Sequence, residues 1–454
     1  MNTTNTPQRA APQRQLNLFD STNIIVGIIV GAGIYESSPL IAANVSSPLG
    51  LLGVWLLGGL LSLLGGLCYA ELANAFPREG GDYVYLTRAF GRGCGFLFAW
   101  AQLWVVRPGS IGAMAFVFAK YAHQLWPLND DPHLSLVWYA VGSVLLLSVV
   151  NVLGVPPGKW TQNILTSAKV LGLLAVVAVG LLVWAPRPAP VEPSSSSGSN
   201  FWLAMIFIFY AYGGWNEMAY VGAEVRNPER NILRALVLGT LAVTGIYVLV
   251  NLAFLHALGF EGTRNASAIA AQVLSLATGD WGARFISVLI CISALGAING
   301  MTFTGARIYY AMGQDHRLFA WLGRWNPTLG TPVWSLVIQG AITLALIAGF
   351  GSGFESMVIF TTPVFWIFLL LVGLSLFVLR WREPQAPRPF RVPLYPIVPL
   401  VFCLSSGFMV YNSLDYAIAK QSNEALWSIL LLGLGLAVII ALLLFSRTAD
   451  RQQS

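Results

Sequence analysis

Residues 425–446 read ALWSILLLGLGLAVIIALLLFS, an apolar run with no charge in it. Similar runs of 18 or more residues recur along the whole chain, and this recurrence constrains the fold more than any other feature. A run of about 20 apolar residues spans the hydrocarbon core of a bilayer as a helix. The composition agrees, with 56% hydrophobic and only 10% charged residues, against about 25% charged in soluble domains. The sequence therefore describes a polytopic, all-α integral membrane protein.

Twelve spans are expected, near 22–45, 49–76, 93–122, 134–153, 161–184, 201–224, 233–257, 281–306, 333–350, 355–380, 394–413 and 425–446. The Pro- and Ser-rich segment 185–200, APRPAPVEPSSSSGSN, reads as a flexible connector between the fifth and the sixth. Residues 1–21 lack an apolar h-region and read as a tail rather than a cleaved leader; residues 447–454 form a second tail. With the N-terminus inside, 18 of the 25 Lys and Arg residues fall in cytoplasmic segments, Arg78, Arg88, Arg226, Arg380 and Arg447 among them. That bias orients both termini to the cytoplasm of a cell membrane, plasma or inner. The net charge of +6 follows from this bias. No basic run interleaved with aromatics points to nucleic acid.

Five spans in the first block, 22–184, would place a second block of five, 201–380, upside down relative to it, with 394–446 adding two more. Transporters built on inverted repeats bind substrate near mid-membrane, at interrupted helices in matching positions of the two halves. The first block opens with GAGIYESSP (31–39) and the second with FYAYGGWNEMAYVGAEVRNPERN (209–231). Both are Gly-interrupted and carry a glutamate, Glu36 and Glu217. Gly31 and Gly33 allow the backbone to leave helical geometry and approach a ligand. The half-helix beyond such a break offers free N–H groups to a carboxylate, and the half-helix before it offers carbonyls to an ammonium. An α-amino acid satisfies both ends at once. The competing explanation of the glycines is close helix packing, since Gly27 and Gly31 fit GxxxG. Dinucleotide binding is not supported, because Glu36 occupies the third glycine position of GxGxxG and no strand precedes it.

Ionisable residues inside spans are costly to bury and are functional candidates. Lys169 lies roughly 12 Å into the fifth span at 1.5 Å per residue, either snorkelling to the interface or acting as a titrating amine. Glu217 is a candidate for lining the pocket, whereas Glu36 points either into it or to an outer vestibule. Glu71 and Glu224 lie near cytoplasmic ends, where pairing with neighbouring arginines is the expected role. Arg107, followed by Pro108, sits mid-span and needs a partner. Trp104, Tyr210, Tyr212 and Trp215 either shape or gate a pocket or, as is the default for aromatics in so aromatic a chain (12%), serve packing or interfacial anchoring. Cys68, Cys94, Cys291 and Cys403 show neither CxxC spacing nor a histidine partner and read as free core thiols; no metal site or cofactor is expected.

GAGIYESSP, CYAELANAFPREGGDYVYLTRAFG (68–91), the 209–231 segment and PFRVPLYPIVPLVF (389–402) together resemble amino-acid permeases of the amino acid–polyamine–organocation superfamily, and the L-type amino-acid transporter branch in particular. The resemblance implies the five-plus-five inverted-repeat (LeuT-like) fold with broken helices one and six, and two further helices. It implies a substrate carboxylate at Gly31, Ala32 and Gly33, an amine near the carbonyls of Ile29, Tyr210 and Gly213, and Tyr210 as a gate. Lys169 takes the place where sodium-coupled relatives hold a sodium ion, which implies sodium-independent exchange or proton coupling. The gate in relatives is often Phe, L-type relatives often have an uncharged residue at the position of Glu217, and Glu36 adds charge beside the first break; the two glutamates favour polar or cationic side chains, or a titrating carboxyl. The external segment AHQLWPLNDDPH (122–133) has no cysteine, so a disulfide-linked glycoprotein subunit is not expected. The expected function is secondary transport of an amino acid, sodium-independent and either proton-coupled or antiport. The alternatives are an amino-acid sensor on the same fold and a polyamine or cationic amino-acid carrier. A membrane enzyme is not expected, since the four histidines form no catalytic cluster.

Overall fold

The computed structural model describes residues 17–76, 81–154, 159–182, 200–217, 225–350, 353–419 and 423–453, and among these the regular structure is helical. In chain order the helices are α1 (Leu18–Ile29), α2 (Gly33–Ala43), α3 (Pro48–Ala75), α4 (Asp82–Phe90), α5 (Arg92–Ala101), α6 (Arg107–Leu125), α7 (Pro132–Val152), α8 (Lys159–Leu182), α9 (Phe201–Tyr212), α10 (Pro228–Arg264), α11 (Ile269–Asp315), α12 (Val333–Phe350), α13 (Phe354–Arg382), α14 (Ile397–Ala419) and α15 (Asn423–Gln453). Among the described residues, nine helical stretches are long and apolar enough to cross a membrane. α9 and the Ser167–Leu182 part of α8 are apolar but shorter.

Local chemistry sets the helix starts. Asn17 and Asp20 form a reciprocal capping box at α1: the Asp20 N–H donates to Asn17 Oδ1 (2.8 Å) and the Asn17 N–H to Asp20 Oδ2 (3.1 Å). Ser47 caps α3 and Asp131 caps α7, each followed by a proline at the first helical position, where its missing N–H costs nothing. The expected span 22–45 is two helices, α1 and α2, separated at Val30–Ala32. The expected span 201–224 stops as an α-helix at Tyr212 and continues as a 3₁₀ turn, Trp215–Glu217; residues 218–224 lie outside the described residues. The 93–122 span holds a π-helical turn, Gln102–Val106. Pro108, just beyond it, has no N–H for an i−4 bond, and the Arg107 N–H reaches back five residues to the Gln102 carbonyl. α10 and α11 run past the expected spans and bend at Gly259 and Gly279, both at positive φ.

The helices pack into two groups. α1, α2, α3, α9 and α10 pack on one another, as do α6, α7, α11 and α12, and α8 touches α1, α10 and α11. At the C-terminal end of α3, Glu71 is almost fully buried (1% exposed) and takes both arms of Arg380 from α13, at 2.7 and 2.6 Å. The same carboxylate accepts the Val392 N–H at 2.7 Å, and the Arg388 guanidinium lies 3.6 Å away. Arg88 of α4 makes a second two-armed pair with Glu383, at 2.6 and 2.7 Å. The segment between α13 and α14 is thus fastened to α3 and α4. The glutamate at 71 was expected to pair with arginine; the partner comes from the far end of the chain.

These two pairs differ in burial and therefore in worth. Removing one partner of a buried ion pair costs about 3–5 kcal/mol, because the other charge is left buried, whereas an exposed pair is worth about 1 kcal/mol or less. Glu71→Ala is expected to lower the unfolding temperature of the detergent-purified protein by several degrees and Glu383→Gln by little. The Glu383 carboxyl is held below its usual range chiefly by the hydrogen bond from Arg88. The small contribution of this pair is therefore present at neutral pH and lost as the pH falls through the lowered value. The difference between wild type and Glu383→Gln should vanish in acid, as thermal unfolding at several pH values will show.

Candidate functional site

The break in the first span is made by three residues. Val30 leaves helical geometry (φ −72°, ψ 78°), its N–H still bonded to the Val26 carbonyl (2.7 Å), and the Gly31 N–H folds back on the Ile29 carbonyl at 2.7 Å. α2 then restarts at Gly33, with Ala32 as its cap and no side-chain cap. The opening N–H groups of a helix have no intrahelical acceptor. Those of α2 are therefore available to an anion, in the positive field of the helix end.

The end of α9 faces this break. The Tyr210 ring lies 3.5 Å from the position a Cβ would take on Gly33, with the Met114 methyl 3.9 Å away, so a larger residue at 33 would strike the ring. Tyr210 stands edge-on to Phe354 at the start of α13 (5.2 Å, 90°), and the two rings form an aromatic cover beside the break. The Gly213 N–H bonds the Tyr210 carbonyl (3.1 Å), and Gly214 takes a positive φ of 110°, which ends the helix. Trp215 is turned toward α3: it is buried edge-on to Tyr69 (5.0 Å) and lies over Gly65, where a Cβ would collide with its ring. The Glu217 backbone belongs to the 3₁₀ turn, and its side chain lies outside the described residues.

One residue that the sequence did not single out joins the two breaks. Tyr247 of α10, fully buried, points its hydroxyl at the Ile29 carbonyl (2.8 Å) and the Ala211 carbonyl (3.0 Å). A phenol has one hydrogen to donate, so the two carbonyls share it, and the Ile29 carbonyl accepts the Gly31 N–H as well. Trp55 packs on Tyr247 (5.1 Å) and on Tyr212 (5.8 Å). The Tyr212 hydroxyl donates to the Trp55 carbonyl at 3.0 Å. Tyr212 is thus part of the support behind the break. A lone tyrosine in an apolar helix gives no sequence signal; only the approach of α10 to both breaks assigns it.

Lys169, on α8, lines a small cavity with Val30, Gly31, Tyr35, Ile290 and Ser293. Its Nζ lies 3.9 Å from where a Cβ on Gly296 would sit. Lys169 therefore reaches the break and does not snorkel away from it. No described residue forms an ion pair with it. Glu36, three residues beyond Gly33, is paired with Lys120 of α6 (Nζ–Oε2 2.6 Å). Arg107 is buried at the end of the π turn, and Trp104 packs on Trp100 (5.5 Å), neither at the break. Among the described residues no group of three or more His, Cys, Asp or Glu could hold a metal. All four cysteines are free.

A family model described as amino acid permease matches residues 16–442. The chain belongs to the amino-acid permease family. The chain is 30% identical to the human b(0,+)-type amino acid transporter 1 over 444 residues, covering 95% of this chain and 88% of that protein. It is 32% identical to the Bacillus subtilis serine/threonine exchanger SteT over 408 residues, 88% of this chain and 91% of the exchanger. Identity to the mouse large neutral amino acids transporter small subunit 2 is 30% over 414 residues, 89% of this chain and 77% of that protein. The motifs quoted above thus lie within a family match that extends over nearly the whole chain.

Two substitutions test the geometry of the permease site. Gly33→Leu drives a branched side chain into Tyr210 and Met114, and amino-acid binding should be lost while the purified protein keeps its helical circular dichroism. Tyr247→Phe removes the one donor shared by Ile29 and Ala211, at a cost of about 1–3 kcal/mol. Affinity is expected to fall at least fivefold in an equilibrium binding assay, with a smaller change in unfolding temperature.

Proposed function

We propose that this permease is a sodium-independent secondary transporter that carries an amino acid by alternating access, as an exchanger or coupled to protons. The observation that carries the reading is the meeting of two interrupted helices, the Val30–Ala32 break and the end of α9, at the shared Tyr247 hydroxyl, with the opening N–H groups of α2 left without a helical acceptor. The substrate carboxylate takes the N–H groups at Ala32 and Gly33, beside Gly31, whose own N–H is bonded to the Ile29 carbonyl. The ammonium takes carbonyls at Tyr210 and Gly213, beside Ile29, whose own carbonyl already accepts the Gly31 N–H and the Tyr247 hydroxyl. Tyr210, with Phe354, closes over the bound molecule. Trp215 supports the second break from behind, and Glu217 is the acidic candidate near it for a polar or cationic side chain, since Lys120 already neutralises Glu36. Lys169 places an amine beside the first break, which when protonated would repel a bound sodium ion.

The fold that suits this reading is twelve spans with two inverted blocks of five, 22–184 and 201–380, followed by two more. The protein resides in the cell membrane with both termini cytoplasmic, as the Lys and Arg bias directs. The relatives named above include one exchanger and two transporters of amino acids, which supports flux over sensing. The segment joining α6 to α7 contains no cysteine, so a disulfide-linked glycoprotein subunit is not part of the proposal.

Reconstitution into liposomes tests the reading. Labelled serine, leucine and arginine should be screened for uptake with and without the same amino acid inside. Uptake that needs internal substrate assigns exchange, and binding without any flux would assign a sensor. If Lys169 carries the coupling charge, Lys169→Ala should flatten the pH dependence of uptake and spare equilibrium binding. An unchanged pH profile would remove Lys169 from that role.

A further inference from the structure

Glu36 and Lys120 stand apart from the substrate groups proposed above and from the polar fastening at Glu71. Glu36 is one turn beyond Gly33 on α2, which belongs to the first helix group; Lys120 is on α6, in the second. α2 packs mainly on α9 and α10 and only sparingly on α6 and α11 of the second group, and this ion pair is one tie across that sparse contact. The two glutamates are held differently. Glu71 has both oxygens taken, by Arg380 and by the Val392 N–H. Glu36 is also buried (8% exposed), yet only Oε2 is bonded, and Oε1 has no hydrogen-bond partner. Lys120, its partner, is one-third exposed. The nearby Tyr121 hydroxyl on α6 is likewise buried and without a partner.

A fully satisfied buried carboxylate is a permanent joint, since separation leaves a charge stranded. A half-satisfied one gains water when its surroundings open, and its partner is already at the water's edge. We infer that Glu36 and Lys120 form a releasable latch that holds α2 against α6 when the outer side is closed and parts when the site opens outward. The inference rests on the alternating-access reading and on the orientation given above. It gives Glu36 a positioning role in the transport cycle, not a contact with substrate.

The test is accessibility from outside in intact cells. With the four native cysteines replaced by serine, Leu40→Cys places a reporter one turn beyond Glu36 on the same face of α2. The rate of its modification by a membrane-impermeant thiol reagent then reads outward opening. Glu36→Gln and Lys120→Gln are each expected to raise this rate about fivefold or more, the scale of typical coupling between conformational states. The double variant should label no faster than the faster single one, and the exchange Glu36→Lys with Lys120→Glu should restore slow labelling. Labelling at the parent rate in both single variants would overturn the latch. A double variant whose acceleration is the product of the two single ones would overturn it too, because independent sites behave that way. Should Glu36→Gln fail to reach the membrane, Lys120→Gln and the exchange carry the same test, Lys120 being the more exposed partner. The readout needs no substrate, so absence of amino-acid flux in the parent would fail the transport reading without altering these rates.

Discussion

In hydrocarbon, a backbone group that leaves its helix ladder has no water to turn to, and each unsatisfied group costs several kcal/mol. The structure depends on how that constraint is met at Val30–Ala32 and after Tyr212. Part of the answer is local, as Gly31 and Gly213 fold back on carbonyls two and three residues earlier. The remainder is one phenol, Tyr247, which reaches the Ile29 and Ala211 carbonyls together. This hydroxyl makes two breaks, distant in sequence, into one site. Its single hydrogen is shared by two acceptors, and the Ile29 carbonyl takes the Gly31 N–H as well. The support for that phenol is itself built from aromatics, Trp55 and Tyr212, locked by the bond from Tyr212 to the Trp55 carbonyl.

The polar groups outside the breaks sort by how completely they are satisfied. Glu71, with Arg380 and the Val392 N–H, is closed on all sides and ties the α13–α14 segment to α3. A surface depression lies beside this fastening, lined by Phe76, Arg88, Arg382 and residues 383–387, away from the breaks. The proposed site is recognised instead by the open N–H groups at the start of α2 and by a covering pair of rings, Tyr210 and Phe354. Lys169 adds a charge where a small cavity meets the first break.

Much of this was legible in the chain. Long uncharged runs dictated spanning helices, because charge cannot be left in lipid and a helix satisfies its own backbone. GAGIYESSP announced an interrupted helix, since neither its glycines nor Pro39 favours an unbroken one, and the break falls at residues 30–32. Short amphipathic α4 was not foreseen: nine residues with charged ends produce no hydropathy signal. The π turn at 102–106 was missed as well, because Pro108 alone does not distinguish it from an ordinary kink.

What the sequence determined by itself was a membrane-embedded helical chain, its family motifs, and the two places where helices must break. These follow from short-range rules: apolar run length, glycine conformation and the missing N–H of proline. The partners were decided only by the tertiary structure. Glu36 meets Lys120 84 residues away, Glu71 meets Arg380 309 residues away, and Tyr247 meets Ile29 218 residues away. No local pattern encodes such pairs, because each depends on which helix faces end up in contact after packing. Glu36 shows the difference most plainly: in sequence it was a charge beside a break, and the fold made it half of an ion pair with one oxygen left over.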